Sequence, residues 1–199
     1  MGKKLLREFY ELCDGGICQD LLTEAEKKFV SEGGMILSGL MQMCEVENGN
    51  KRVYTEDVLK REVKKYAKLV ETGRALGELD HPDKVEVSLQ FVSHKVTNIW
   101  MDGNKVMGKI QVLDTPAGKT LRALVDGGCA IGISSRGTGS VQEQGGRSIV
   151  QEDFELVCFD IVSEPSTPGA FMMREAKDLL ESTKNNRIEK LLNEVLKDE

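Results

Sequence analysis

The sequence of 199 residues predicts an α+β domain, with five to seven strands and two principal helices before residue 165. Three features carry that reading. Val85, Val87, Leu89 and Phe91 alternate with polar residues, an amphipathic helix runs from Thr55 toward Gly73, and glycine-centred turns at Gly103 and Gly145-Gly146 join short apolar runs.

In chain order, Leu5, Leu6, Phe9 and Leu12 stand at helical spacing before the charged stretch 21–30, which predicts one or two short helices stopped by Gly33-Gly34. Residues 35–46 are rich in methionine and apolar side chains without a helical period and are expected to form a strand, with a turn at 47–52. Thr55 is a suitable N-cap, Glu56 and Asp57 suit a first helical turn, and Val58, Leu59, Val63, Tyr66, Ala67 and Val70 share one face. A polar loop at 77–84 precedes the alternating strand 85–91, whose pattern continues loosely to Trp100. Asp102-Gly103-Asn104 then turns a hairpin into Val106, Ile110 and Val112. Residues 118–126 fit a short helix closed by Gly127-Gly128. Three further strands follow, within 129–141, 147–154 and 155–162. From 170 to 197 no strand pattern is visible, and leucines in a charged background predict two amphipathic helical pieces that either pack on the domain or bind a partner. The expected division is therefore 1–34 helical, 35–169 the main domain and 170–199 the tail.

Composition excludes several classes of function. With 27 basic against 33 acidic side chains and no basic block, the chain lacks the clustered cations of a nucleic-acid binder. No stretch approaches 18 apolar residues and the first residues lack a signal-peptide pattern, so a soluble intracellular protein without a membrane partner is expected. The five cysteines, at 13, 18, 44, 129 and 158, form no CxxC pair. They are read as free thiols rather than zinc ligands, with Cys129 and Cys158 buried in apolar runs. Glu78, Asp80 and His81 are too crowded to enclose a metal ion, and no glycine-rich segment opens a helix after a strand as a nucleotide loop requires. No cofactor is expected.

Three segments could carry chemistry. His81 lies in Gly77-Glu78-Leu79-Asp80-His81-Pro82; it is either a surface residue or a general base, and Pro82 favours an extended backbone at the imidazole. Residues 132–139, rich in glycine and serine at the end of an apolar run, are either a strand bulge or a nucleophile with accessible backbone N–H groups. If 129–136 is extended, Ile131, Ile133 and Ser135 point one way and Gly132, Ser134 and Arg136 the other, which makes Ser134 better placed to leave the core than Ser135. Asp160, inside the apolar run 156–162, needs a partner there. That partner is either a Lys or Arg, or the imidazole of His81. His94, in mid-strand, receives no role.

These segments, with Asn50-Lys51-Arg52-Val53-Tyr54 before them and Pro165-Ser166-Thr167-Pro168 after Asp160, resemble the prohead core protein proteases of T-even-like tailed bacteriophages over residues 35–170. The resemblance implies a serine peptidase on a herpesvirus-assemblin-like fold, a mostly antiparallel barrel of six to seven strands with flanking helices. It implies His81 and Ser134 as the catalytic pair and Asp160 as the third member, although related proteases carry the acid about two positions away, where this chain has Cys158. Backbone N–H groups around Ser135, Arg136 and Gly137 would hold the oxyanion, with Arg136 adding charge or shaping the loop. Implied substrates are the phage scaffold core proteins and the major capsid protein, inside the assembling prohead in the host cytoplasm; a homo-oligomer is left open. Family members cut after Glu with an apolar residue two positions earlier, a pattern present at Val30-Ser31-Glu32, Leu179-Leu180-Glu181 and Leu192-Asn193-Glu194. Self-cleavage after Glu181 or Glu194 is therefore expected. The competing expectation is a non-catalytic scaffold or tube-like assembly protein on the same fold.

Overall fold

The computed structural model describes residues 22–174. The chain divides at Gly33/Gly34 and again after Arg174. On the N-terminal side helix α1, Glu24–Ser31, begins at a reciprocal cap: Thr23 Oγ1 accepts the Glu26 N–H, and the Glu26 carboxylate accepts the Thr23 N–H at 2.7 Å.

The body, Gly34–Arg174, holds strands β1 (Ile36–Met43), β2 (Arg52–Val53), β3 (Leu76–Glu78), β4 (Val92–Asp102), β5 (Lys105–Val112), β6 (Ile131–Thr138), β7 (Val141–Gln144), β8 (Arg147–Val150), β9 (Glu155–Val162) and β10 (Phe171–Arg174), with helices α2 (Glu56–Glu71) and α3 (Pro116–Asp126). Seven strands follow one another in the order β3-β4-β5-β1-β10-β6-β9, each pair antiparallel, and β2-β8-β7 form a second small sheet. The large sheet curls until its two edges meet. Leu79 and Ile161 form a parallel bridge, and the Asp80 N–H donates to Ile161 O at 2.8 Å. The expected α+β barrel is thus nearly closed.

Both helices of the body start where local chemistry places them, with the side chains of Thr55 and Thr115 accepting the N–H groups of Val58 and Gly118. α2 buries Val58, Leu59, Val63 and Tyr66, and the Tyr66 ring meets Phe159 of β9 edge-on with centroids 5.5 Å apart. Glu62 on the same face is also buried. Its carboxylate accepts from Arg61, Lys65 and the Leu156 N–H, which ties the helix to the start of β9.

Several expectations need correction. Residues 85–91 are not a strand: β4 begins at Val92, and Val85, Leu89 and Phe91 are exposed, Leu89 by 76%. Apart from the Leu79 N–H on Phe91 O and a turn at 88–91, the backbone of this loop is held by side chains. Arg136 Nη1 donates to the carbonyl oxygens of Lys84 and Glu86, and Glu78 accepts the Ser88 N–H. The polar loop expected at 77 contributes the short strand β3. The run 129–141 breaks at Gly139-Ser140, so that β6 and β7 lie in different sheets. Cys129 is exposed, whereas Cys158 is buried as expected. Residues from 170 are not all tail, because β10 fills the gap between β1 and β6. The rest of the expected helical tail, and the helix expected near residue 5, lie outside the described residues.

Two buried polar groups reinforce the barrel where β3 meets β9. Arg136, on β6, sends Nη2 to Glu78 Oε2 at 2.9 Å and Nε to Asp160 Oδ2 at 2.9 Å. One guanidinium therefore links three consecutive strands, β6, β9 and β3, across the seam. Behind it stands His94 of β4, fully buried; its Nε2 donates to Phe159 O at 3.1 Å and its Nδ1 accepts from Ser93 Oγ at 2.9 Å. Both nitrogens of the neutral ring are satisfied, and burial pushes the imidazole down to about 4. The ring also explains Gly77, where a Cβ would fall 2.4 Å from His94 Nε2 and 2.1 Å from Phe159 O.

Two outcomes follow from this arrangement. The unfolded chain protonates His94 near 6.5 and the folded chain only near 4, so stability is complete above that window and decreases through it as the pH falls, by roughly 3 kcal/mol. Urea unfolding between pH 7 and 4 should show this decline, and His94→Gln should flatten it. Arg136→Met leaves Glu78 and Asp160 buried without their cation and should destabilise by about 3–5 kcal/mol in chemical denaturation. Arg136→Lys should not restore the loss, because one ammonium cannot span both carboxylates and the two loop carbonyls.

Candidate active site

The position of His81 is set by the seam. Asp80 has φ 67°, in the left-handed region that a short polar side chain tolerates, and its N–H is already given to Ile161. The chain therefore turns away from the barrel wall at the next residue. There His81 Nδ1 lies 2.8 Å from Asp160 Oδ2, with the histidine side chain 38% exposed and the aspartate fully buried. An ionised carboxylate only accepts, so Nδ1 carries the proton and the neutral ring presents the Nε2 lone pair away from Asp160.

Asp160 is held from several directions. Besides His81 and Arg136, its Oδ1 accepts the Glu78 N–H at 3.0 Å. Burial acts to raise its pKa, but the hydrogen bond from His81, the Glu78 N–H and the Arg136 charge outweigh it, and the carboxyl stays below the usual carboxylate range. Of the two partners foreseen for this aspartate, a cation and the imidazole, it has both.

Ser134 is the register partner of Asp160 in the β6–β9 ladder. As the pleat predicts, Ser134 and Arg136 share the face of Asp160, while the side chain of Ser135 alternates to the other face of β6. The accompanying expectation that Ser134 leaves the core more readily is reversed: Ser134 is 4% exposed and Ser135 is half-buried. The loop after β9 covers the Ser134 face, with Pro165 so close that a Cβ on Gly132 would lie 2.6 Å from its Cδ. Ser134 Oγ and Ser166 Oγ stand 3.2 Å apart, and Ser166 O accepts the Gly49 N–H at 2.7 Å, which joins the 48–50 turn to the same loop. His81, Ser134, Ser166, Tyr54, Arg52 and Glu164 all line one open cleft of about 500 Å³.

Immediately beyond the serines the β6–β9 register shifts between Arg136 and Gly137. The glycine there is required, because a Cβ would meet Glu155 O at 2.5 Å and the Phe154 ring at 2.6 Å. The bulge considered as an alternative to a functional serine thus occurs in the same strand as that serine, where bulges commonly redirect side chains beside sites. Arg136 does not offer its charge to the cleft. Its side chain is buried between Glu78, Asp160 and the 84–86 carbonyls, so of its two expected uses it shapes the loop. Cys158, the position two residues before Asp160 that the resemblance raised for the acid, packs against Arg136 and Asp160, and burial with the neighbouring Asp160 charge pushes its thiol up to about 12, away from nucleophilic use.

The sequence reading passed over Glu78 and Ser166 as participants. Glu78 was weighed only as a metal ligand, in a loop that looked solvated; its partner Arg136 is 58 positions away and no local pattern announces it. Ser166 had a clearer signal in the flanking prolines, Pro165 and Pro168, which stiffen the loop that covers Ser134.

Comparison with known proteins identifies the family of the chain. Residues 10–184 match the family model described as prohead core protein serine protease. The chain is 37% identical over 154 residues to the prohead core protein protease of Enterobacteria phage T4, which takes in 75% of this chain and 72% of that one. The solved structure of the bacteriophage T4 capsid assembly protease superimposes with a TM-score of 0.62 at 35% identity, over 65% of this chain and 81% of that chain. Family match, sequence and barrel coincide, and the chain is a protease that belongs to the prohead core protein serine protease family.

Proposed function

We propose that this protein is a serine endopeptidase of the phage prohead core in which Ser134 attacks, His81 is the general base and Asp160 orients the imidazole. The observation that supports it most is the 2.8 Å contact from His81 Nδ1 to the buried Asp160 carboxylate, with His81 and Ser134 lining one cleft. His81 Nε2 removes the Ser134 proton as Oγ adds to the scissile carbonyl, and Asp160 stabilises the imidazolium that forms. In the present geometry the Ser134 hydroxyl is held by Ser166, so attack requires a rotation of that side chain toward His81, a tightening ordinary for a site without substrate. Backbone N–H groups from Ser135 to Gly137, at the bulge, are the candidates for the oxyanion hole. His81 returns the proton to the leaving amine, and water then releases the acyl group.

The substrates proposed are the scaffold core proteins and the major capsid protein, cleaved inside the assembling prohead in the host cytoplasm, together with the chain's own tail after Glu181 or Glu194. Co-expression with scaffold and major capsid proteins tests this. Processing should be complete with wild type and absent with His81→Ala or Ser134→Ala, each lowering the cleavage rate by roughly 10⁴-fold or more; unchanged processing in both variants would refute the assignment. Mass spectrometry of the purified protein should find chains ending at Glu181 or Glu194 in wild type but not in Ser134→Ala, and the same products in that variant would exclude self-cleavage.

A further inference from the structure

Glu78 is the one carboxylate in the seam to which the mechanism gives no task, yet it is 1% exposed and fully engaged. Its N–H donates to Asp160 Oδ1 at 3.0 Å, its Oε2 accepts from Arg136 Nη2 at 2.9 Å, and its Oε1 accepts the Ser88 N–H from the loop beside His81. It does not contact His81. The links between them run through Asp160, Arg136, the backbone of Leu79 and Asp80, and the loop from Pro82 to Ser88.

Counting formal charge in the cluster leads further. Arg136 supplies one positive charge against the two carboxylates of Glu78 and Asp160, so one negative charge is left over while His81 is neutral. That charge is matched when the imidazole takes a proton. Joining β9 to β3 accounts for a carboxylate on each strand, but the buried excess anion that results is costly unless something nearby becomes positive. The other charges near His81 do not alter this balance: Arg52 from β2 and Glu164 from the loop after β9 line the cleft with opposite signs, and Asp80 and Asp83 on the histidine's own loop are exposed.

We infer that Glu78 is a positioning residue for the peptidase reaction: through Arg136 and its own N–H it fixes Asp160, and its charge leaves the buried cluster one unit negative so that the His81 imidazolium is stabilised during attack. The inference rests on the Ser134–His81–Asp160 reading given above. It also accounts for the structure of residues 84–88, whose backbone is held by the same two residues that hold Asp160, Arg136 and Glu78, so the loop flanking the imidazole and the acid behind it share one support.

The test is the rate at which a serine-directed fluorophosphonate labels the full-length protein as a function of pH, since labelling reports activation of Ser134 without any assumption about peptide sequence. Glu78→Gln keeps the shape and removes the charge. It should lower the plateau rate about ten-fold or more and move the acid limb of the profile by about half a pH unit toward lower pH, because the imidazole loses a nearby anion and gives up its proton more readily. Glu78→Asp keeps the charge with less reach, and should lower the plateau while leaving the acid limb where wild type has it. Wild-type plateau and limb in folded Glu78→Gln would overturn the inference alone. A limb displaced to lower pH in Glu78→Asp, which retains the charge, would also overturn it, even if Glu78→Gln does not fold. Wild type that is not labelled, or Ser134→Ala labelled as fast as wild type, would instead remove the serine reading and this inference with it.

Discussion

The contact on which the rest of this structure depends is the Arg136 guanidinium between Glu78 and Asp160. An antiparallel barrel normally closes by a continuous ladder, which satisfies both edge strands. Here β3 and β9 meet through one bridge, Leu79 to Ile161, and one further N–H from Asp80. Closure at that seam therefore leans on side chains, with one cation drawn from the next strand over. The exchange has a structural benefit. A full ladder would carry the chain straight past residue 80 along β9, whereas a seam held by charge lets it turn outward and set an imidazole against the acid in the wall.

The same contact decides how much of the fold was legible in the sequence. Helix α2 and the β4–β5 hairpin could be read because their causes are local: a threonine cap, a face of apolar residues, a glycine in a two-residue turn. Residues 85–91 misled because their alternation is that of a strand, while the partners that hold their backbone are the side chains of Arg136 and Glu78, far along the chain. Strands as short as β3 and β10 are too brief to show a period, and only their neighbours define them. At the site, His81, Ser134 and Asp160 were visible as out-of-place polar residues or motif members. Glu78 was not, since an acidic residue in a polar loop is what a solvated loop also looks like.

Asp160 shows how a costly residue is accommodated. A carboxylate in the middle of a buried strand is unfavourable alone, and replacing such a network with apolar side chains often stabilises a protein. Its retention here is coupled to the register of the β6–β9 ladder, which sets Ser134 directly across from Asp160, with Arg136 two residues on along the same face. One pairing thus delivers the serine, the acid and the cation to a common face, and the bulge at Gly137 begins just after they have been placed. Moving the acid by two positions along β9 would keep it on that face, where Cys158 now packs against Arg136.

The position of β10 bears on where the chain tolerates being cut. Phe171–Arg174 pairs with both β1 and β6, so it separates the strand that carries Ser134 from the opposite half of the barrel. Cleavage before residue 174 would open β6 along that edge, and the serine strand with it. Glu181 and Glu194, the tail positions proposed for cleavage, both follow Arg174 in sequence, so scission at either one leaves every paired strand among the described residues in place. Self-cleavage of the kind proposed has to preserve the fold that does the trimming, and Glu32, before β1, meets that condition as Glu181 and Glu194, after β10, do.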